Sequence, residues 1–260
     1  MRCECLQLHD DRKDVTLTCY IRDDSHELLA GKKRPAILIC PGGGYFNCSD
    51  REAEPIALAY LAEGFNAFVL RYSAGADVPW ERSYEDAQAA LRYVRENARE
   101  LHIDPDRIGV IGFSAGGHLA SAMGTIAEDK VNAMILGYPC ILKEVGKRLK
   151  KQIPGTNQFV SAETPPAFLF ATSDDAVVPI RHSLRFAAAM AEKKRYFEMH
   201  IYPTGEHGFS LGRAAEAGTN QAMVNPDAQA WFPASVRFLR HVFGDFPVRG
   251  ERAACDFPER

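Results

Sequence analysis

Gly112-Phe113-Ser114-Ala115-Gly116 sets a serine between two glycines, directly after the apolar run Ile108-Gly109-Val110-Ile111 and ahead of a helix-forming stretch over 117–127. A serine hydroxyl is almost fully protonated at neutral pH, so it attacks a carbonyl only when it is exposed, oriented and beside a base. A strand–turn–helix setting with flanking glycines supplies the exposure, because the turn is too tight for side chains. The pattern predicts Ser114 as a nucleophile for acyl transfer. The amide of Ala115, where the helix begins, is one N–H group able to hold a developing oxyanion. Another donor is expected from Pro41-Gly42-Gly43-Gly44-Tyr45, which follows the apolar run 36–40 and offers backbone amides without side-chain obstruction. Gly43 and Gly44 are the candidate donors, and Tyr45 beside them is a candidate substrate contact.

An orienting acid and a base should follow in the chain order serine, acid, histidine. The run 167–171 leads into Thr172-Ser173-Asp174-Asp175-Ala176-Val177-Val178-Pro179, placing two carboxylates at the C-terminal end of a strand, where α/β proteins gather reactive groups. One of them should accept the histidine Nδ1–H and fix its tautomer, and the other should cap or turn the chain ahead of the helix that Pro179 opens. For the base, the run 198–202 leads into Pro203-Thr204-Gly205-Glu206-His207-Gly208-Phe209, which puts His207 on a glycine-flanked loop. His118, four residues after Ser114, competes for the role, but its helical position directs it into the packing between helix and sheet. His200 lies on the strand itself, and His9, His26, His102, His182 and His241 stand in no supporting context.

Positioning these groups requires a sheet that delivers several loops to one edge. The runs 36–40, 67–70, 108–111, 133–136 and 167–171 are short and almost continuously apolar, as suits strands covered on both faces. Helical spacing separates them over 52–63, 81–101, 115–127 and 180–194, and recurs over 227–243. This alternation predicts a doubly wound, mostly parallel sheet with helices on both faces. Residues 15–22 alternate instead, as expected of an antiparallel strand at the sheet edge. Asp104-Pro105-Asp106-Arg107 reads as a turn. From Tyr138 to Pro166 the rhythm breaks, with Lys143, Lys147, Arg148, Lys150 and Lys151 followed by Pro154-Gly155 and Thr164-Pro165-Pro166. A segment of this length predicts a small lid over the site, against the alternative of a solvated surface helix. Tyr138 and Phe159 are its aromatic candidates for touching substrate.

With 260 residues, 46% of them hydrophobic, the chain has the material for one large core, so a single domain over 1–260 is expected, with the lid at about 138–166. Thirty-one basic and 34 acidic residues leave a formal charge of −3, and no basic run interleaves with aromatics, which argues against nucleic acid. The N-terminus has no apolar signal core, and no membrane-length apolar run occurs. Seven scattered cysteines suggest neither a disulfide framework nor a zinc motif. A cytoplasmic protein with reduced thiols and no metal is the expectation; Cys3-x-Cys5 is the one metal alternative.

Taken together, the glycine loop 41–45, Asp104-Pro105-Asp106-Arg107-Ile108, Gly112 through Ala120, Thr164-Pro165-Pro166, Asp174 through Pro179 and Gly205 through Phe209 resemble the small α/β-hydrolase esterases grouped with acetylxylan and feruloyl/acetyl esterases. More distantly they resemble hormone-sensitive-lipase-type esterases and prolyl oligopeptidases. The likeness spans about residues 36–240 in the family's order. It implies an α/β-hydrolase fold and a triad of Ser114, Asp174 and His207, since relatives use the first carboxylate of the Asp-Asp-x-Val pattern. It also implies hydrolysis of short acyl esters, acetyl above all, on a small-molecule substrate such as an acetylated sugar, with no cofactor. One departure is Pro41, where relatives often carry histidine. The rival readings are a prolyl-oligopeptidase-like peptidase, which lacks a gating domain here, and a hydrolase fold kept only for binding.

Overall fold

The computed structural model describes residues 1–25, 27–28 and 32–246; His26 and Cys255 lie outside the described residues. Eight strands form one sheet: β1 (Arg2–Gln7), β2 (Thr16–Ile21), β3 (Arg34–Cys40), β4 (Asn66–Arg71), β5 (Ile103–Phe113), β6 (Ala133–Gly137), β7 (Ala167–Thr172) and β8 (Phe197–Tyr202). Their spatial order is β1-β2-β4-β3-β5-β6-β7-β8. From β4 to β8 every neighbouring pair is parallel, and β2 joins β4 antiparallel. The edge position expected for 15–22 belongs to β1, whose exposed residues give it a weak apolar signature.

The buried strands alternate between two cores because successive side chains point to opposite faces. Leu38 and Cys40 of β3 pack with Leu91 of α2 (Trp80–Glu96), Leu119 of α3 (Ser114–Thr125) and Phe186 of α5 (Arg181–Glu192). Ile37 and Ile39 pack on the opposite face with Ile56 of α1 (Glu54–Ala62) and Phe238 of α6 (Trp231–Phe243). Helices therefore cover both faces, as the apolar runs predict. The Asp104–Arg107 turn sits within β5, where register with β3 jumps from Ile103 to Ile108; Asp104 accepts hydrogen bonds from the Asp106 amide at 3.1 Å and Arg107 Nε at 2.9 Å.

Residues 138–166 hold a five-residue helix, α4 (Val145–Leu149), and a 3-10 turn over Thr156–Phe159. Lys143, Lys147 and Lys150 face solvent, but Lys151 is buried. Its ammonium donates to the carbonyls of Gly75, Ala76 and Val78 and lies over the Phe46 ring. His182 Nδ1 accepts from the Ile141 and Leu142 amides at 2.9 and 3.2 Å, which fastens the start of the segment to α5. The six described cysteines are free. No described helix is long and apolar enough to cross a membrane.

Candidate active site

Because β3, β5, β6, β7 and β8 run parallel, the loops that leave their C-terminal ends meet at one edge of the sheet. Ser114 stands where β5 turns directly into α3, with φ at 53°, a left-handed conformation that a non-glycine residue adopts only when its surroundings enforce it. The enforcing contacts are close approaches of backbone. A Cβ on Gly112 would lie 2.1 Å from the Gly116 carbonyl oxygen, and one on Gly116 would lie 2.1 Å from that of Cys40 and 2.3 Å from that of Pro41. Both obstacles to Gly116 are main-chain atoms that no rotamer change removes. Gly116→Ala is therefore expected to cost about 3 kcal/mol or more, read as a lowered urea midpoint, whereas a midpoint equal to wild type would contradict this packing.

His207 Nε2 lies 2.9 Å from Ser114 Oγ, and its Nδ1 lies 2.7 Å from Asp175 Oδ2. An ionised carboxylate only accepts, so Nδ1 carries the ring proton and Nε2 is left to accept from the serine hydroxyl. Asp175 is buried, and its other oxygen accepts from the Val177 and Val178 amides at 2.8 Å each. Asp174, the acid implied by the family likeness, is not at the histidine. The turn that follows β7 over Ser173-Asp174 swings Asp174 into solvent, where it accepts from the Gly205 amide at 3.0 Å. One residue of turn decides which carboxylate points inward.

Gly43 and Gly44 have φ of 127° and 64°, which favours glycine at both positions. Among the described residues their amides donate to no protein acceptor, whereas the Gly42 amide is taken by Glu52 Oε2 at 2.8 Å. Ala115 is the second residue of α3 and its amide has no intrahelical partner. Gly43, Gly44, Ser114 and His207 line one cavity of about 320 Å³, walled on its apolar side by Val145, Leu149, Val177, Val178 and Met223.

Residues 27–140 match the BD-FAE family model, and residues 145–224 match the prolyl oligopeptidase family. An α/β-hydrolase enzyme from a Medee basin deep-sea metagenome library superposes with a TM-score of 0.87 at 43% identity, over 93% of this chain and 98% of that one. The chain belongs to the α/β-hydrolase family. An acetyl ester-xyloside bifunctional hydrolase from Caldicellulosiruptor lactoaceticus superposes at 0.79 with 32% identity, over 93% of the hydrolase and 97% of that chain. Acetylxylan esterase of Xylanibacter ruminicola is 31% identical over 232 residues, 80% of the hydrolase and 46% of that protein. Thus the hydrolase spans less than half of this curated relative.

Neither tyrosine expected at the substrate lines the hydrolase's cavity. Tyr45 is buried, because its hydroxyl turns down to His118 Nδ1 at 2.7 Å, and its ring meets Tyr72 and His118 edge-on. Tyr138 is buried too, its hydroxyl donating to Glu52 Oε1 at 2.6 Å. Phe159 is exposed but away from the cavity. His118 packs as its helical position predicts: Nε2 donates to the Pro154 carbonyl at 2.9 Å, and burial pushes the ring's pKa down to about 4. Pro41 holds the loop through its carbonyl, which accepts from the Tyr72 hydroxyl at 2.6 Å.

Sequence reasoning missed Glu52, Cys140 and Met223, which line the cavity together with Arg148 of the expected lid. Glu52 heads the expected helix 52–63 and so reads as an ordinary acid of a first turn. The others carry no local pattern. Part of the segment expected to form a lid does reach the cavity: Val145, Arg148 and Leu149 form one wall, and Arg148 donates to the Val177 carbonyl at 2.6 Å.

Proposed function

We propose that the hydrolase is a serine carboxylesterase that cleaves short acyl groups, acetyl above all, from a polyhydroxy alcohol such as a sugar. The observation that carries this reading is His207 held between Ser114 Oγ and Asp175 Oδ2 at hydrogen-bond distance from each. Ser114 Oγ adds to the ester carbonyl carbon as His207 Nε2 takes its proton. The carbonyl oxygen becomes an oxyanion, held by the amides of Gly43, Gly44 and Ala115. Collapse breaks the bond to the alcohol oxygen, which leaves with the proton from Nε2, and Ser114 keeps the acyl group. Water then yields a proton to Nε2 and adds to the acyl carbon, and Ser114 departs with that proton. Asp175 holds the imidazolium that forms twice in this cycle.

The alcohol side of the substrate finds polar surroundings. Beside the mainly apolar cavity opens a cleft of about 870 Å³ that shares Asn47, Ser49 and Arg51 with it and adds Asp50, Glu54, Arg71 and Glu216. Such a mixture of donors and acceptors suits hydroxyl groups. The acetyl and xyloside specificities named for two similar proteins support the same assignment.

p-Nitrophenyl acetate is expected to be cleaved about tenfold or more faster than the octanoate and decanoate, in kcat/KM. Faster cleavage of the long chains overturns the short-acyl assignment. Incubation with acetylated xylo-oligosaccharides and acetylated monosaccharides, followed by mass spectrometry, is expected to show loss of acetyl groups from sugar. The match of residues 145–224 to the prolyl oligopeptidase family favours a peptidase as the second reading. Cleavage of a prolyl p-nitroanilide at rates above those of the aryl acetates would select it.

A further inference from the structure

Glu52 is a fully enclosed carboxylate that the acyl-transfer steps above leave without a role. It is only 3% exposed, it lines the catalytic cavity, and each of its oxygens meets a donor from a different loop. Oε2 accepts from the Gly42 amide at 2.8 Å, one residue ahead of the two candidate oxyanion donors. Oε1 accepts from the Tyr138 hydroxyl at 2.6 Å. That hydroxyl in turn accepts from the Ser210 amide at 3.0 Å, on the loop that carries His207, and the Tyr138 ring packs edge-on against the His207 ring with centroids 5.1 Å apart. A single buried anion thus joins the glycine loop, the end of β6 and the histidine loop, three segments that the chain itself does not connect locally.

Burying a carboxylate is costly, and two donors aimed at its two oxygens are what make the ionised form tenable. Burial pushes the Glu52 carboxyl above its ordinary range, while Tyr138, the Gly42 amide, His207 and Arg51 act in the opposite sense. An apolar residue would fill this place at lower cost if packing were its only purpose.

We infer that Glu52 is a positioning residue of the esterase: through Gly42 it sets the aim of the Gly43 and Gly44 amides, through Tyr138 it holds the histidine loop, and its charge favours the imidazolium of His207. This inference rests on the esterase reading for its kinetic consequences and on the structure alone for its link to His207. The other groups around that ring are Asp175 and Asp174 from the loop after β7, Glu206 beside it in the chain, Tyr138 after β6, and Arg51 and Arg148 across the cavity. Two of these are cations facing the cavity, so Glu52 offsets them at the histidine.

Glu52→Gln keeps the size of the side chain, removes its charge and offers an amide N–H₂ where one of the two donors already points. With p-nitrophenyl acetate, kcat is expected to fall about tenfold to a hundredfold with KM within about threefold of wild type, because aim at the oxyanion acts in the transition state. The acid limb of kcat/KM should move to lower pH by about 0.5–1 unit, since the imidazolium loses a nearby anion. A merely structural carboxylate would not move that limb. Tyr138→Phe keeps the carboxyl group but removes one of its two donors together with its tie to the histidine loop, so it is expected to lower kcat. The His207 ring titration followed by NMR, with no substrate present, should show the same downward shift in Glu52→Gln. Folded Glu52→Gln with wild-type kcat and an unmoved limb overturns the inference; should that variant fail to fold, wild-type kcat in Tyr138→Phe overturns it. Failure of the esterase reading has a separate signature, a wild-type protein that cleaves no ester, and the NMR shift then still decides whether Glu52 acts on His207.

Discussion

Asp175→Asn is expected to lower kcat for p-nitrophenyl acetate by about 10⁴-fold, whereas Asp174→Asn should leave it within about twofold. The asymmetry follows from where each carboxylate points. Asp175 accepts the Nδ1–H of His207 and has its second oxygen fixed by two backbone amides, so the ring has one tautomer and one orientation. An asparagine there can turn its N–H₂ toward Nδ1, which then accepts and leaves the proton on Nε2, the atom that must take a proton from Ser114. Asp174 is exposed and among the described residues bonds only the Gly205 amide, a contact worth a fraction of the total stability and remote from the proton that moves. Steady-state kinetics on the two variants, with circular dichroism to verify folding, checks the assignment. Equal losses in both, or a larger loss in Asp174→Asn, would return the orienting role to the first carboxylate.

Ser114→Ala is expected to lower kcat by about 10⁶-fold and to abolish labelling by a fluorophosphonate probe. Among the described residues His207 Nε2 forms a hydrogen bond to Ser114 Oγ and to no other hydroxyl. The variant should fold, because alanine removes one half-buried hydroxyl oxygen and alters none of the glycine contacts that shape the turn. A wild-type protein that reacts with no fluorophosphonate despite being folded would favour a hydrolase fold retained for binding. Labelling that persists in Ser114→Ala would place the nucleophile elsewhere.

Much of this arrangement was legible along the chain. Ser114, the glycine loop and His207 each stand at a strand end marked by a continuous apolar run, and glycine is the residue that local geometry demands at Gly43, Gly44 and Gly112. Short-range sterics and a strand period of two act over a few residues, so they are written into neighbouring letters. The first strand escaped notice because an exposed edge strand has no buried face to enforce alternation. Tyr45 and Tyr138 look like site aromatics because of what stands next to them in sequence, and both are drawn inward by hydroxyl partners that lie 73 and 86 residues away.

The sequence by itself marked Ser114, His207 and the amides of Gly43, Gly44 and Ala115 as candidates, and determined the doubly wound sheet that brings them to one edge, because these follow from local backbone requirements and from apolar periodicity. Only the tertiary structure decided that Asp175 rather than Asp174 faces His207, and that Glu52 ties the glycine loop to the histidine loop. Those choices depend on hydrogen bonds between segments 32, 10 and 86 residues apart, to His207, Gly42 and Tyr138 respectively. A one-residue turn in space reverses the side from which a carboxylate is seen, and nothing in the two adjacent aspartates records which way that turn goes.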